Sequence, residues 1–535
     1  MLREDARPLG TSPLGGISSG GTHGVGGYPA SLVARLAPLL VFVSSMLLYL
    51  QTLLPGKAFD DWGEMQTVPH VLGIAHPTGY PTYIVTAWLF ELLPFGSIAF
   101  RANLYAAFCV AVALAALTAI GIRLGVRPAI AALAAQATGA IGTIWASAVV
   151  AEVNALHLAL IAVIIERTLA WSDSRRPRDL AIGGLLVGLA LGNHLLTVFT
   201  APFLVLFALW EGRDALRNKP KLILWPLAAG LVGLSVYLYI PLAASANPPL
   251  AYNHPTTVDG FLFLVTGRQF AGQYQGVFSL DSIGRLVDSV LPFWKLAGER
   301  AFGVIPIVGL IGLGIIAVRR TAFGVALLLV LVMSFDIWAT YNTRTLEHYL
   351  LVPWLLLGLG TMVALEAGAR AIAAWLLPPA DEVGGPLAAL GAAAMALLLI
   401  ATNLPVVDKS MDRSGDDFVD QVFNSLPQNA VILSWWGSSS PMWHAHYVEG
   451  RRPDITIVDD SNVVYDGWGT RENRIADVIC SRPVYLLLVL DRDVDEARAV
   501  YDLALDQVVK IGAGGPTGQY MRPIHRVSPK PGTCP

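Results

Sequence analysis

Apolar stretches separated by short polar breaks fill most of this chain, and eleven come close to the roughly 20 residues a membrane-spanning helix needs. They begin near Ser31, Ala102, Pro128, Ala155, Asp179, Thr197, Leu222, Ala301, Thr321, Tyr349 and Leu387. The run from Thr82 to Pro94 is apolar but too short to span, so its placement sets the parity of everything after it. If it spans, Arg123, Arg127, Arg167, Arg175, Arg176 and Arg178 fall on the outer side. If it lies along the interface as a helix over about 82–94, they join Arg3, Arg7, Arg35, Arg213, Arg217, Lys219, Lys221, Arg319, Arg320 and Arg370 on one face. The bias of Lys and Arg toward the cytoplasm selects the second arrangement. Tyr83, Trp88 and Glu91 also suit a helix in the headgroup layer.

The pattern changes at both ends. Residues 1–30 are rich in Gly, Ser and Pro without an apolar h-region, which predicts a disordered cytoplasmic tail and no signal peptide. From Val407 onward, Phe418, Val419, Val422, Phe423 and Leu426 recur at helical spacing. Short β-like runs follow at 430–436, 454–459 and 484–490. Residues 407–535 hold 31 of the 75 charged residues and read as a small α/β domain. With eleven spans and a cytoplasmic N-terminus, this domain is extracytoplasmic, as are the loops at about 55–101 and 245–300. The predicted fold class is an α-helical polytopic membrane protein with a small extracytoplasmic α/β C-terminal domain.

Composition agrees: 54% of residues are hydrophobic and 14% charged, against about 25% charged in soluble domains. A net charge of −3 offers no footprint for nucleic acid. Cys109 lies in an apolar span; Cys480 and Cys534 share the tail and either pair in an oxidising compartment or remain free thiols.

The outer face collects the polar residues of interest. Asp60, Asp61 and Glu64 stand just beyond the first span, ahead of His76, Pro77 and Tyr80. Glu152 and Asn154 flank the fourth span, Asn193 and His194 occupy a turn, and Arg344, Glu347 and His348 lie between the ninth and tenth. Each has a plainer reading, as a solvated loop, a rigid turn or a helix cap. Ionisable residues at mid-span and related halves, which mark transporters, are not evident. Neither is a P-loop or a dinucleotide fingerprint; Gly184, Gly188 and Gly192 sit inside a span and read as helix packing.

Chemistry at this face therefore calls for a donor already activated in the bilayer, and a sugar on a lipid phosphate meets that need. A carboxylate within reach of an acceptor hydroxyl takes its proton as the new bond forms, and a cation steadies the departing phosphate. Candidates for the cation are Arg101, Arg268, Arg344 and His348. The acids with His76 have the ligand types for a divalent cation, although no metal is assigned. His444 and His446, without a third ligand, read as a surface loop.

The run Asp61-Trp-Gly-Glu64, then Gly73-Ile-Ala-His76-Pro77-Thr-Gly79-Tyr80-Pro81, then Arg101-Ala-Asn103-Leu, resembles the signature of the DUF2723 family, whose animal relatives are TMEM260-type protein O-mannosyltransferases. Ala151-Glu152-Val153-Asn154 with His157, Gly192-Asn193-His194-Leu195, and Tyr239-Ile-Pro241-Leu with Asn247-Pro248 carry it further, to about residue 270. The resemblance implies a GT-C glycosyltransferase that uses a polyprenyl-phosphate sugar, with mannose as the sugar and a Ser or Thr of a secreted or membrane protein as the acceptor. It puts the family's catalytic aspartate on Asp61, with Asp60 second, and implies substrate contacts at the other matched positions. This chain departs at Thr78, where the family has a second proline, and at Ala243, where an arginine is common. A flippase for lipid-linked sugars and a membrane-anchored module binding envelope proteins are the rival readings. Arg- and Ala-rich composition points to a bacterial inner membrane; in a eukaryote the same face would lie in the lumen of the endoplasmic reticulum.

Overall fold

The computed structural model describes residues 32–273, 281–341, 347–375, 381–460, 469–511, 520–532 and 534. The expected N-terminal tail, residues 1–30, lies outside them. The membrane part runs α1 (Leu32–Gln51), α2 (Asp60–Thr67), α3 (Pro81–Glu91), α4 (Ile98–Arg123), α5 (Pro128–Gly139), α6 (Gly142–Ala148), α7 (Val153–Ser174), α8 (Pro177–Leu191) and α9 (Thr197–Asn218). It continues through α10 (Leu224–Leu234), α11 (Tyr239–Ala246), α12 (Val258–Val265), α13 (Asp281–Ala301), α14 (Val304–Arg319), α15 (Thr321–Thr340), α16 (Leu351–Trp375) and α17 (Asp381–Val407).

Among the described residues, seven helices are long and apolar enough to cross a bilayer, and nine passes result if the bent pairs α5–α6 (75°) and α13–α14 (105°) each count as one. The two further spans expected from sequence correspond to α8 and α9. The first has only 15 residues, about 22 Å of helix against roughly 30 Å of hydrocarbon. The second carries Glu211, Arg213, Asp214 and Arg217 toward its end. Helix α8 packs closely on α10: a Cβ on Gly188 would lie 2.3 Å from the Gly230 carbonyl oxygen, so glycine permits the backbone approach. Leu231, Val232, Leu238 and Leu242 face outward from the protein, as a lipid-facing surface requires.

The two ends of the helical bundle differ. At the far end of α4 from Arg101, Arg123 pairs with Glu166 (2.9 Å), Arg320 with Asp173 (2.8 Å), Arg167 with Asp179 (2.9 Å), and Arg127 and Arg370 with Glu366 (3.6 and 2.8 Å). At the other end α1 and α17 finish side by side, the Lys409 N–H donating to the Thr52 carbonyl at 3.0 Å. The first acidic helix and the C-terminal domain therefore share one face.

That domain comprises α18 (Ser414–Ser425), β1 (Val431–Ser434), α19 (Trp436–Trp443), β2 (Thr456–Asp459), α20 (Arg471–Val478), β3 (Val484–Leu487), α21 (Asp491–Val500), β4 (Asp502–Ile511) and β5 (Tyr520–Ser528). The strand order is β2-β1-β3-β5-β4, parallel across β2-β1-β3 and antiparallel beyond. The first three strands match the β-like runs read from sequence. The last two were not read, because mostly exposed residues such as Asp502, Leu505, Asp506 and Lys510 give β4 no clean alternation. Apolar clusters cover both sheet faces, with Phe418, Val422 and Ile457 in one and Val458, Ile475 and Leu486 in the other. Cys480 and Cys534 form a disulfide, while Cys109 is free and buried.

The segment expected at the interface is α3, ending at Glu91. Tyr83 and Glu91 are buried and Trp88 half-buried, because α3 packs against α4. The loop expected over 245–300 contains α12 and the amphipathic α13.

Candidate active site

Helix α2 starts with Asp60 and Asp61, whose charges complement its N-terminal end. Each residue of its opening motif has a separate attachment. Asp61 is exposed and its Oδ1 accepts the Trp436 indole N–H at 2.9 Å. Trp62 donates to Glu152 Oε2 at 3.0 Å. Gly63 lies so close to the C-terminal domain that an added Cβ would meet Ser440 Oγ at 2.7 Å and its own chain at the Ala58 carbonyl at 2.2 Å. Glu64 is buried; it accepts the His76 backbone N–H at 2.8 Å and makes a short contact with His76 Nδ1.

The segment 76–80 folds back over this helix. Tyr80 Oη lies 3.0 Å from His76 Nε2 and donates to the Pro77 carbonyl at 3.1 Å, so His76, Pro77 and Tyr80 form one bonded turn against Glu64. Burial opposes charge on His76, but Glu64 and Asp61 outweigh it and push the imidazole up to about 9. Burial likewise holds the Glu64 carboxyl above the usual range. The protein around Asp60, followed by the charge of Asp61, raises Asp60 to about 6.

The remaining candidates divide. Glu152 caps α7 by accepting the Asn154 backbone N–H (3.1 Å) and Nδ2 (3.0 Å). Asn193 donates to the Val153 carbonyl at 3.1 Å, and His194 stacks near Tyr80 (5.9 Å), His157 (5.6 Å) and Tyr349 (6.0 Å). Asn154 Oδ1, Asn193 Oδ1 and His157 Nε2 are buried without a hydrogen-bond partner among the described residues. His348 is half-buried beside Tyr349 (5.0 Å) and joins His157 in lining a small cavity.

Two of the expected cations are occupied elsewhere, and a third is not described. Arg101 donates to the carbonyls of Glu91 (2.5 Å) and Leu93 and so secures the end of α3. Arg268 pairs with Asp259 at 3.0 Å, both exposed. Arg344 lies outside the described residues. Asn103 is buried as a three-way pin: it donates to the Leu54 carbonyl (2.7 Å) and accepts from Gln66 Nε2 (2.9 Å) and the Ala151 N–H (2.8 Å). His444, read as surface, is buried with Nδ1 3.4 Å from Thr67 Oγ1, because α19 packs on α2.

Sequence reading missed what the C-terminal domain contributes. Trp436 touches Asp61, His76 (5.5 Å between rings) and Tyr252 (5.8 Å). A Cβ on Gly437 would fall 2.1 Å from Asp60 Oδ1. Buried Lys57 bridges Asp416 and Glu449 at 2.6 Å each, fastening the domain beside α2. The Trp435-Trp436 doublet was the available signal, although nothing in its spacing points toward residues 375 positions away. Between the parts lies a cavity of about 340 Å³ that reaches from Glu64 past Tyr252 and Trp436 to β2.

This helical bundle, with its acidic helix beneath a small sheet domain, has the fold of ArnT from Cupriavidus metallidurans. The structure bound to undecaprenyl phosphate matches with a TM-score of 0.52 and 13% identity over 94% of this chain and 99% of that one. The apo structure gives 0.56 and 12% over 92% and 98%. The chain is a multi-pass membrane glycosyltransferase of the GT-C fold. Residues 61–217 match the family described as Protein O-mannosyl-transferase TMEM260 N-terminal domain, which bears out the DUF2723 resemblance. The mouse Protein O-mannosyl-transferase TMEM260 is 28% identical over 478 residues, 84% of this chain and 67% of that protein. The Dictyostelium discoideum relative of the same name is 25% identical over 249 residues, 42% of this chain and 29% of that protein.

Proposed function

We propose that this protein transfers a sugar, mannose in the first instance, from a polyprenyl phosphate to a Ser or Thr hydroxyl of a secreted or membrane protein on the extracytoplasmic face. The carrying observation is Asp61: exposed, at the head of α2, and held by Trp436, which itself lines the cavity of about 340 Å³. The Asp61 carboxylate takes the hydroxyl proton as the acceptor oxygen bonds to the anomeric carbon. The bond from that carbon to the phosphate oxygen breaks and its electron pair leaves with the lipid phosphate, which inverts the anomeric centre. Asp60 is the second acid within reach, and Glu64 acts through His76. Charged His76 has a ligand atom within 4.8 Å of those of Asp61 and Glu64, and serves as a cation beside the developing phosphate charge. Asn154, Asn193 and His194 are assigned to the sugar, a reading supported by the unpartnered buried oxygens of the two asparagines.

The relatives' names support the sugar and the acceptor, and the undecaprenyl phosphate in the ArnT structure supports the carrier. Outward placement of the site rests on the gathering of Arg123, Arg127, Arg167, Arg320 and Arg370 at the opposite end of the bundle. The disulfide is consistent with that face. A bacterial inner membrane is the proposed location, with the endoplasmic reticulum membrane as its eukaryotic equivalent. Asp61, Glu64 and His76 have the donor types for a divalent cation, but Glu64 and His76 spend their ligand atoms on each other. Transfer is accordingly expected to survive EDTA.

The test is transfer by purified protein supplied with polyprenyl-phosphate mannose and acceptor peptide, with Asp61→Asn alongside. The variant should bind donor normally and lose transfer. A wild-type rate in that variant removes Asp61 from the mechanism, and lipid movement across liposomes without covalent product would favour the flippase.

A further inference from the structure

Where the first turn of α7 meets the turn after α8, the side chains of Asn154, Asn193 and His157 are more than nine-tenths buried. Chemistry fixes which way each of them faces. Asn154 Nδ2 meets Glu152 Oε1 at 3.0 Å, and Asn193 Nδ2 meets the Val153 carbonyl at 3.1 Å. A carboxylate and a carbonyl only accept, so neither amide can be turned round, and each Oδ1 points away from that partner. Thr197 Oγ1 spends its one hydrogen on the Ala190 carbonyl at 2.9 Å and can only accept across its 3.4 Å contact with His157 Nδ1. The neutral His157 ring therefore carries its proton on Nδ1 and presents a lone pair at Nε2. His194 is the opposite tautomer, because its Nδ1 accepts the Leu196 N–H at 3.2 Å and leaves the proton on Nε2.

The result is three acceptors, Asn154 Oδ1, Asn193 Oδ1 and His157 Nε2, without a hydrogen-bond partner among the described residues. Asn154 and His157 stand three apart on one face of α7, and Asn193 joins them through Val153. The donor ring of His194 lies 5.6 Å from that of His157. A buried acceptor left unmet costs free energy, so the ligand that suits this junction must bring hydrogens. An ionised phosphate brings none. A metal ion calls for an anionic ligand, yet Glu152 gives Oε1 to Asn154 and Oε2 to the Trp62 indole. Sugar hydroxyls donate, and the acids are close: Tyr80, in contact with His76, lies 5.9 Å from His194.

We propose that Asn154, Asn193 and His157 each accept a hydrogen from a hydroxyl of the donor sugar while His194 donates back to it, so that the pocket selects a neutral polyhydroxylated sugar and rejects a carboxylate at those positions. This rests on the glycosyl-transfer reading above and adds His157 to the residues assigned to the sugar. The rings of Tyr80 and Tyr349 pack on His194 at 5.9 and 6.0 Å, and the sugar reaches the acceptors as these rings part.

The experiment measures binding of polyprenyl-phosphate mannose, and of analogues with single hydroxyls replaced by hydrogen or fluorine, to the purified full-length protein without acceptor, so that no bond is made or broken. Fluorine accepts a hydrogen bond weakly but cannot donate one. At the hydroxyls that meet the three acceptors, hydrogen and fluorine should weaken binding alike, by about tenfold or more, as loss of one hydrogen bond does. His157→Phe should bind the parent sugar about tenfold more weakly yet bind one deoxy analogue as well as the unaltered protein does, which also shows that the variant is folded. His157→Gln, whose amide can present an oxygen near the lost Nε2, should recover most of the difference. Fluorine restoring what hydrogen loses would mean that the protein donates at that position, and overturns the proposal. Binding within about twofold for every analogue overturns it as well, leaving water as the occupant, while transfer of the parent sugar keeps the catalytic reading. A parent sugar neither bound nor transferred overturns both.

Discussion

In the proposed reaction, single residues act through what holds them. Asp61 is fixed by one indole N–H, so Trp436→Phe keeps the ring and removes the donor. A hydrogen bond to a charged group contributes about 1.5–3 kcal/mol, and transfer should fall roughly ten- to a hundredfold with unchanged thermal stability, read by kcat at saturating acceptor. The His76 imidazole, raised to about 9 by Glu64 and Asp61 against its burial, stays charged at neutral pH and loses its proton as pH climbs through that value. Transfer should therefore decline on the alkaline side near pH 9. Glu64→Gln removes the largest opposing charge, lowers the imidazole's affinity for the proton and should move that decline to lower pH, in a rate profile taken from pH 6 to 10. At this scale the motif types were legible, since acids followed by a histidine turn announce themselves. What Arg101 and Asn103 do was not: a cation and an amide look alike whether they meet a substrate or, as here, the backbone of α3 and of residues 54 and 151.

Elements position those residues. Asn103 joins α4 to the chain after α1 and to the segment before α7, with every bond buried. Asn103→Ala leaves buried main-chain groups unpaired, each costing about 1–3 kcal/mol. The apparent Tm of the purified protein should drop by several degrees, and transfer should drop with it. Helices read well from apolar run length, and ten-odd starting points needed no tertiary information. The exceptions are instructive. Helix α3 was assigned to the headgroup layer because it is too short to span and charge parity excludes a crossing; that packing against α4 buries Glu91 was not legible. Strand β4 escaped because a sheet edge facing water lacks the alternation that betrays a half-buried strand.

At the scale of the molecule, the membrane bundle and the sheet domain pack as one unit around the candidate site. Lys57, Gly63 and Asp60 on one side meet Asp416, Glu449, Ser440 and Gly437 on the other. Removing residues 414–535 strips Trp436 from Asp61 and opens the cavity, so transfer should be lost even where the truncated bundle still reaches the membrane, as judged by fractionation and activity together. Sidedness has its own test. With Cys109 buried and Cys480 bonded to Cys534, a cysteine introduced at Met411 should react with a membrane-impermeant maleimide in intact cells, and one at Arg176 only after lysis. The reverse pattern would place the acids in the cytosol and end the proposed reaction.

Run length and the Asp-Trp-Gly-Glu and His-Pro-Thr-Gly-Tyr-Pro motifs determined a membrane enzyme class and its acidic segment from sequence alone, because insertion into lipid and local turn chemistry depend on residues close together in the chain. Only the tertiary structure decided that Trp436 holds Asp61, that Glu64 closes on His76, and that strand β2 of the tail walls the cavity. Those contacts join segments far apart in sequence through packing, and no periodicity within either segment encodes the partner it will meet.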